Sequence, residues 1–169
     1  MQRILHLVAA ITPGRVLGRD GGLPWRHPED LARLDALTAG AVCLVGRRTH
    51  EAWRSVDRHG RRPVVISGSE LPLRSPAPRA ANFPAALAVA EALSGDIFVC
   101  GGRRPYADAL ALAGQRHLRL HLTLVEPEQP GDVHFPAWDH LPWRPLPGIR
   151  AMTPGLTFLT LDLPAGAGG

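Results

Sequence analysis

Residues 4–46 read ILHLVAAITPGRVLGRDGGLPWRHPEDLARLDALTAGAVCLVG, and this stretch indicates the class of fold. Residues 4–11 form a continuous apolar run, which is typical of a strand buried at the centre of a sheet. Pro28 stands at the first position of a helix with acidic residues in its first turn, and Gly40 ends that helix. A second apolar run follows at residues 41–45. The stretch therefore predicts a strand, a helix and a second, parallel strand.

The same alternation continues towards the end of the chain. Further strands are expected at residues 62–67, 97–100, 118–125 and 156–163, and helices at residues 48–54, 85–93 (capped by Asn82) and 105–112. We therefore expect an α/β fold, with a central, mostly parallel mixed sheet of about eight strands, an antiparallel C-terminal edge and about four flanking helices. The expected single domain covers residues 1–164, and residues 165–169 are expected to form a disordered tail.

The composition predicts a protein with one buried core. Of the 169 residues, 45% are hydrophobic and 20% are charged, as in soluble globular proteins. No apolar run is long enough to span a membrane, and residues 4–11 lack the pattern of a signal peptide, so we expect a cytoplasmic location. Cys43 and Cys100 lie in apolar runs without metal-ligand spacing, which favours a reducing compartment. We assign no metal and expect a monomer.

The basic residues and the loops together indicate where a ligand binds. All 19 basic residues are arginines, and the formal net charge of +4 favours anionic ligands without distinguishing nucleotides from nucleic acid. In α/β sheets, ligands bind outside the carboxyl ends of the parallel strands. Four loops follow such ends, at residues 14–25, 46–49, 67–69 and 101–104. The first is long and glycine-rich, which is common in functional loops.

Asp30 is the main candidate for a catalytic group. Taken alone, an acid in the first turn of a helix more often just complements the helix dipole. Here, however, the helix start follows a glycine-rich loop and a Pro-Trp pair, and Trp25, Leu31 and Leu34 are expected to wall the carboxylate. A carboxylate in an apolar pocket needs a cationic or hydrogen-bonding partner. A ligand with an amidine-like edge would supply that partner.

The chain resembles the dihydrofolate reductases over residues 4–163. Any one of the shared motifs is weak, but the ordered set is specific. The motifs, in the order and spacing of that family, are Val8-Ala9-Ala10, Gly18, Leu23-Pro24-Trp25, Pro28-x-Asp30-Leu31, Gly46-Arg47-x-Thr49 with Trp53, Gly101-Gly102-x-x-x-Tyr106, Thr123, and Gly131-Asp132-x-His134-Phe135-Pro136.

The resemblance implies hydride transfer from NADPH to 7,8-dihydrofolate, giving tetrahydrofolate, with antifolates as further ligands. Asp30 would accept hydrogen bonds from the 2-amino and N3 groups of the pterin, supported by Thr123, and its charge would favour the protonated ring. The proton would arrive from solvent, with Trp25 and the preceding loop controlling access. The expected catalytic residues are Asp30, Trp25, Thr123 and Tyr106. The expected substrate-binding residues are Val8, Ala10, Leu31, Leu34 and Arg61, the last clamping the glutamate α-carboxylate through its planar fork.

The cofactor side implied by the resemblance is formed by glycines and arginines at the strand ends. Backbone amides and helix starts would face the phosphate oxygens, and the family's Gly-Gly peptide is cis. Arg47, Ser67 and Arg104 would surround the adenosine 2′-phosphate, which favours NADPH over NADH. The expected cofactor-binding residues are Ala10, Gly18, Leu23, Gly46, Arg47, Arg48, Thr49, Ser67, Gly68, Gly101, Gly102, Arg103, Arg104 and Tyr106.

Several positions depart from the family pattern. Leu34 replaces an aromatic residue usual against the folate benzoyl ring, and Asp35 lies where a basic residue often helps to hold the glutamate tail. The other departures are Pro63, Arg103 and Pro105. These changes bear on affinity, polyglutamate recognition and antifolate sensitivity more than on the reaction.

The sequence is also compatible with two alternative functions. A same-fold reductase of another heterocycle, such as the pyrimidine reductase of riboflavin synthesis, is similar in its cofactor half but lacks the Pro-Trp and Asp combination. An arginine-rich nucleic-acid-binding module would use a patch of arginines between residues 47 and 62. The low content of aromatic residues, 5% of the chain, disfavours single-strand binding by base stacking.

Overall fold

In the part of the chain that the structure describes, strands and helices are interspersed up to the fourth helix, and the elements after it are strands. The computed structural model describes residues 1–147 and 151–167. Its helices are α1 (Pro28–Thr38), α2 (Arg47–Ala52), α3 (Phe83–Glu91) and α4 (Arg103–Leu110). Its strands are β1 (Leu5–Ile11), β2 (Val16–Gly18), β3 (Val42–Gly46), β4 (Arg62–Ile66), β5 (Arg79–Ala80), β6 (Ile97–Gly101), β7 (Leu118–Val125), β8 (Val133–His134), β9 (Arg144–Pro145), β10 (Ala151–Thr153) and β11 (Leu156–Leu163).

The main sheet has the strand order β10-β11-β7-β1-β6-β3-β4-β5, and β9 pairs with β11. The strands from β7 to β5 in this order are parallel, whereas β11 is antiparallel to β7 and to β10. The predicted α/β class, with a mostly parallel sheet and an antiparallel C-terminal edge, is confirmed. The carboxyl ends of β1, β3, β4 and β6 lie at one edge of the sheet, so the four expected loops lie there as well.

Helices cover both faces of the sheet because its central strands are apolar on both sides. On one face, Leu34 and Leu37 of α1 pack against Val8, Cys43 and Phe98. On the other face, α3 and α4 pack into the larger core cluster, to which β1, β6 and β7 contribute their alternate residues. Residues of β1 and β7 that share the α1 face are therefore the ones available to a site beneath that helix.

The short elements differ from the sequence expectations. The sequence predicts no regular structure at residues 14–23, but β2 lies there and pairs with β8. That expectation is wrong because a strand of three residues is too short to show a period. Helices α3 and α4 each begin two residues earlier than expected, since Pro84 and Pro105 fall in first turns, where no backbone N–H is needed. The predicted cap is confirmed, because Asn82 Oδ1 accepts a 2.9 Å hydrogen bond from the backbone N–H of Ala85.

The C-terminal residues fold back onto the domain as far as they are described. The Gly166 N–H donates a 2.9 Å hydrogen bond to the Gly114 carbonyl, and Ala167 packs against the core. Residues 168 and 169 of the expected tail lie outside the described residues, so the domain limits stay a prediction. None of the helices in the described part of the chain has the length and apolar character that a membrane span requires.

Candidate active site

The Asp30 carboxylate lies in the first turn of α1, against the carboxyl half of β7. Ala10 of β1 pairs in register with Thr123 of β7. The Thr123 hydroxyl donates a hydrogen bond of 2.6 Å to Asp30 Oδ1. The carboxylate is half-buried rather than directed into open water. The structure thus brings together Asp30, Thr123 and Ala10, which the sequence analysis places in one site.

Arg33 joins this pair, although the sequence analysis does not include it among the site residues. Its Nη1 donates to Thr123 Oγ1 at 3.3 Å and its Nη2 to the Leu159 carbonyl at 3.2 Å. The guanidinium lies 4.9 Å from the centroid of the Phe158 ring, within cation–π distance. The available sequence signal is its spacing of three residues from Asp30, which places both side chains on one face of the helix.

Burial has the largest effect on the pKa values of Asp30 and Arg33. Loss of solvent raises the pKa of Asp30 above its ordinary value, and the Thr123 hydrogen bond and the charges of Arg33 and His27 offset this only in part. Burial likewise lowers the pKa of Arg33, against the opposing effect of Asp30. The site therefore holds a carboxylate whose charge is incompletely compensated by the protein, so it favours a cationic or multiply donating ligand.

The loop before α1 leaves groups that a ligand would cover. The indole Nε1 of Trp25 is buried without a hydrogen-bond partner among the described residues. Leu23 and Leu31 expose 53% and 45% of their surface. A buried N–H donor is normally satisfied, so the unpaired indole N–H of Trp25 fits a place that a ligand or an ordered water occupies.

A cavity of about 320 Å³ opens between α1 and the segment after α2. We call it the tail pocket, because Asp35 in its wall lies where the family often has a basic residue that helps to hold the glutamate tail of folate. Its wall includes Leu31, Leu34, Asp35, Trp53, Arg54 and Arg58. Leu31 and Leu34 are among the predicted substrate-binding residues, and the structure places them together here, on the helix that carries Asp30. The tail pocket is therefore an apolar groove with an acidic group on its α1 side and basic groups on the opposite side.

Arg61 is not part of the lining of the tail pocket, and protein groups hold its guanidinium. Its Nη1 donates to Asp35 Oδ1 at 2.7 Å and to Thr38 Oγ1 at 3.2 Å. Its Nε donates to the Val56 carbonyl at 3.0 Å and its Nη2 to the Ser55 carbonyl. Its predicted role as a carboxylate clamp stays a prediction, and the structure shows which protein groups hold the guanidinium.

Tyr106 of α4 is hydrogen-bonded to Val8 of β1. The Tyr106 hydroxyl donates a 2.7 Å hydrogen bond to the Val8 carbonyl, and the ring packs against Phe135 at a centroid distance of 4.8 Å. Burial raises the pKa of Tyr106 well above its ordinary value, so the hydroxyl stays protonated. This arrangement fits a residue that fixes the middle of β1 against α4.

The glycines at the ends of β3 and β6 form a close backbone contact. A Cβ atom added to Gly101 would lie 3.0 Å from Thr49 Oγ1, and one added to Gly46 would lie 3.4 Å from the Gly102 nitrogen. The peptide bond between Gly101 and Gly102 is cis, as the resemblance implies. These loops therefore expose backbone rather than side chains at the start of α4, which suits phosphate oxygens.

A second cavity, of about 230 Å³, lies at the carboxyl end of β4. Its lining includes Ser67, Gly68 and Arg104, three predicted cofactor-binding residues, together with Asn82. Arg104 Nε lies 3.3 Å from Asp108 Oδ1, yet 86% of its side chain is exposed. The arginine can therefore leave this weak surface pair for an anion at little cost.

The other predicted cofactor arginines stand along the same edge. Arg47 Nη2 contacts Glu51 Oε1 at 2.8 Å, while its buried Nε has no partner among the described residues. Arg48 and Arg103 are exposed. The edge is thus positively charged over both the glycine contact and the second cavity, as an anionic cofactor requires.

A sheltered carboxylate on a helix that lines one cavity, and an arginine-lined edge with bare backbone beside another, fit an α/β enzyme with separate places for a small substrate and an anionic cofactor. The chain belongs to the dihydrofolate reductase family. The sequence model of that family, described as dihydrofolate reductase, matches residues 4–148. This agrees with the family that the sequence motifs resemble.

Curated relatives support the same assignment. The chain is 34% identical over 145 residues to dihydrofolate reductase type 3 of Salmonella typhimurium, covering 85% of each chain. It is 33% identical over 167 residues to dihydrofolate reductase HdrB of Haloferax volcanii, covering 92% of this chain and 81% of the relative. It is 29% identical over 143 residues to dihydrofolate reductase of Bacillus subtilis, covering 83% and 80%. The chain is therefore an enzyme of folate metabolism that uses a nicotinamide cofactor, and neither alternative function is favoured.

Proposed function

We propose that the chain reduces 7,8-dihydrofolate to 5,6,7,8-tetrahydrofolate with NADPH, and that Asp30 anchors the pterin. The observation that carries this proposal is the half-buried Asp30 carboxylate, hydrogen-bonded at 2.6 Å to Thr123, on the helix whose Leu31 and Leu34 line the tail pocket. Dihydrofolate matches these features because it joins a flat, nitrogen-rich ring to an apolar benzoyl group and a charged tail.

The carboxylate supplies recognition of the ring. Thr123 occupies one acceptor position of Asp30 Oδ1, which leaves most of the acceptor capacity of the carboxylate for a ligand. The 2-amino and N3 groups of the pterin are two adjacent donors that suit such a carboxylate. A 2,4-diamino antifolate ring presents a similar edge and is expected to bind there, more tightly when it is protonated.

The same charge supports the reaction. Protonation of the ring makes it a better hydride acceptor, and the Asp30 carboxylate stabilises the cation that results. Because Asp30 is held on the 2-amino side, it does not deliver the proton to N5, which comes from solvent past Trp25. When bound, NADPH supplies the hydride, so the overall reaction consumes dihydrofolate, NADPH and one proton and yields tetrahydrofolate and NADP⁺.

The cofactor would be held at the arginine-lined edge. The backbone of Gly46, Gly101 and Gly102 would face the diphosphate, and Ser67 and Arg104 at the second cavity, with Arg47, would contact the 2′-phosphate. This preference is tested by comparing kcat/KM for NADPH and for NADH. The Arg104→Gln variant should lose affinity for NADPH and keep its affinity for NADH. An equal loss for both cofactors would contradict a role in 2′-phosphate binding.

The proposed reaction is tested by the oxidation of NADPH in the presence and absence of dihydrofolate. Asp30→Asn should reduce kcat/KM for dihydrofolate by about a hundredfold or more and leave NADPH binding intact. Asp57→Asn, which changes an exposed carboxylate, is the matched control. An Asp30→Asn enzyme with parental activity would refute the role of Asp30, and a parental enzyme that does not oxidise NADPH with dihydrofolate would refute the reaction. We also propose that the protein is a cytoplasmic monomer, which size measurement in solution and localisation would test.

A further inference from the structure

Arg61 is committed to the protein at each nitrogen of its guanidinium. The contacts to Asp35, Thr38, Val56 and Ser55 occupy Nη1, Nε and Nη2. None of the Arg61 side-chain surface is exposed. A guanidinium recognises a carboxylate by directing two N–H groups outward in a planar fork. Arg61 has no such fork available at the surface of the tail pocket.

The face of the Arg61 guanidinium is covered as well. Its central carbon lies 4.7 Å from the centroid of the Trp53 ring. An approach from the side of the tail pocket therefore meets Trp53 or Asp35 before it meets Arg61. Because both residues belong to the wall of that pocket, the positive charge of Arg61 is shielded from anything that enters.

Asp35 is the exposed partner of the ion pair. Its side chain is 38% exposed, in contrast to the covered Arg61, and its Oδ2 lies 3.6 Å from Nε2 of His59. Dihydrofolate ends in a glutamate with two carboxylates. A carboxylate that enters the tail pocket meets the like charge of Asp35, and reaching Arg61 requires that Asp35 be displaced into solvent. Like charges brought together in this way oppose binding.

Two other arginines can still attract the tail. Arg54 and Arg58 line the tail pocket and are exposed. Solvent and salt screen exposed charges, so such contacts contribute little to binding compared with a buried fork. The tail pocket thus offers an anionic tail weak cationic contacts at its rim and a negative charge in its wall.

We infer that Asp35 is a specificity-determining residue that keeps Arg61 from the substrate's carboxylates, so that the enzyme uses a dihydropterin substrate without the glutamate nearly as well as dihydrofolate. This inference rests on the proposed function. It assigns the substrate preference of the tail pocket to the ion pair between Asp35 and Arg61.

The test compares kcat/KM for 7,8-dihydrofolate with kcat/KM for 7,8-dihydropteroate, which has the same ring and benzoyl group and lacks the glutamate. In the parental enzyme the two values should lie within about fivefold of each other, as expected when only exposed charges assist the tail. Asp35→Ala should raise the preference for dihydrofolate by about tenfold or more, the effect of one charge-assisted hydrogen bond. The gain should appear in the KM for dihydrofolate and be lost at high salt.

Asp57→Ala is the matched control, because it removes an exposed carboxylate from the same segment and leaves the pair of Asp35 with Arg61 intact. Its substrate preference should equal that of the parental enzyme. Asp35→Asn, which keeps the shape of the side chain, should raise the preference for dihydrofolate in the same direction and serves if Asp35→Ala does not fold.

The outcomes separate this inference from the proposed function. A parental enzyme that reduces both substrates but prefers dihydrofolate by tenfold or more would overturn the inference and leave the reaction standing. So would an Asp35 variant that folds and keeps the parental preference. If neither substrate supports NADPH oxidation, the proposed function fails, and the inference fails with it.

Discussion

Replacement of Thr123 by valine removes one hydroxyl from the centre of the site and changes little else. The hydroxyl donates to Asp30 Oδ1 at 2.6 Å and accepts from Arg33 Nη1 at 3.3 Å. Thr123 is 1% exposed, so solvent cannot easily replace the lost group. Threonine and valine have nearly the same shape, and both are suited to a strand. The Thr123→Val variant therefore tests the hydrogen bond rather than the packing.

The size of the effect follows from the kind of hydrogen bond. A bond to a charged group contributes about 1.5 to 3 kcal/mol, which corresponds to a fall of about ten- to a hundredfold in kcat/KM. The hydrogen bond also lowers the pKa of Asp30, against the larger opposing effect of burial. Its loss raises that pKa further. Since the ionised carboxylate is the active form, the acid side of the kcat/KM profile should move to higher pH.

The assay is the steady-state oxidation of NADPH with dihydrofolate over a range of pH. Thr157→Val is the matched control, because Thr157 lies on the neighbouring strand β11, pairs with Leu124 rather than Thr123, and is also buried, at 9% exposed. That control should keep the parental profile. A Thr123→Val enzyme with parental kcat/KM and an unchanged acid limb would refute the reasoning that Thr123 holds the Asp30 carboxylate.

Three further predictions concern Arg33, Gly101 and His121. Arg33→Met should lower kcat/KM by about tenfold and move the acid limb to higher pH, because the Arg33 charge lowers the pKa of Asp30; an unmoved limb would exclude this role. Gly101→Ala should weaken NADPH binding and stability, since Gly101 has φ 136° and an added Cβ would lie 3.0 Å from Thr49 Oγ1; cofactor titration and urea unfolding measure both, and parental values for both would contradict it. Burial and the charges of His6, Arg33 and Arg119 lower the pKa of His121 from 6.5 to about 3. The folded protein thus binds this proton less readily than the unfolded chain, and the stability present above pH 6.5 should fall by about 3 kcal/mol at pH 4. His121→Gln should lose correspondingly less stability between pH 7 and pH 4 in urea unfolding, and an equal loss would sink the argument.

The sequence predicted the parts of the fold and site that depend on local pattern. The apolar run of β1 and the proline and acids at the start of α1 place Asp30 at the sheet edge without further information. The role of Arg33 depends on Phe158 and Leu159, which reach it only through the antiparallel pairing of β11 with β7. The spacing of three residues between Asp30 and Arg33 within one helix gives no information about that strand pairing.

Arg61 shows the same limit of prediction from the sequence. Its place before β4 was predictable from the sequence, and so was the unusual acid at position 35. That Asp35 and Arg61 form a 2.7 Å ion pair depends on how α1 packs against the segment after α2. Such packing is set by side chains distant in the sequence. The short pair of β2 with β8 was missed because neither strand is long enough to show a period.

The two acids of α1 therefore differ in what they do for the fold. Burial outweighs the compensating groups at Asp30 and raises its pKa, so the ionised carboxylate costs folding free energy at neutral pH. The ionised Asp35 carboxylate should instead stabilise the fold, because it is the charge partner of a fully covered arginine. Asp30→Asn should accordingly be at least as stable as the parent despite its reduced activity, and Asp35→Ala should lose about 2 kcal/mol, less than a fully buried pair because Asp35 is partly exposed. Urea unfolding of both variants measures the difference. If Asp30→Asn is destabilised as much as Asp35→Ala, then the Asp30 carboxylate stabilises α1. It would then not be a destabilising group that is retained for substrate binding.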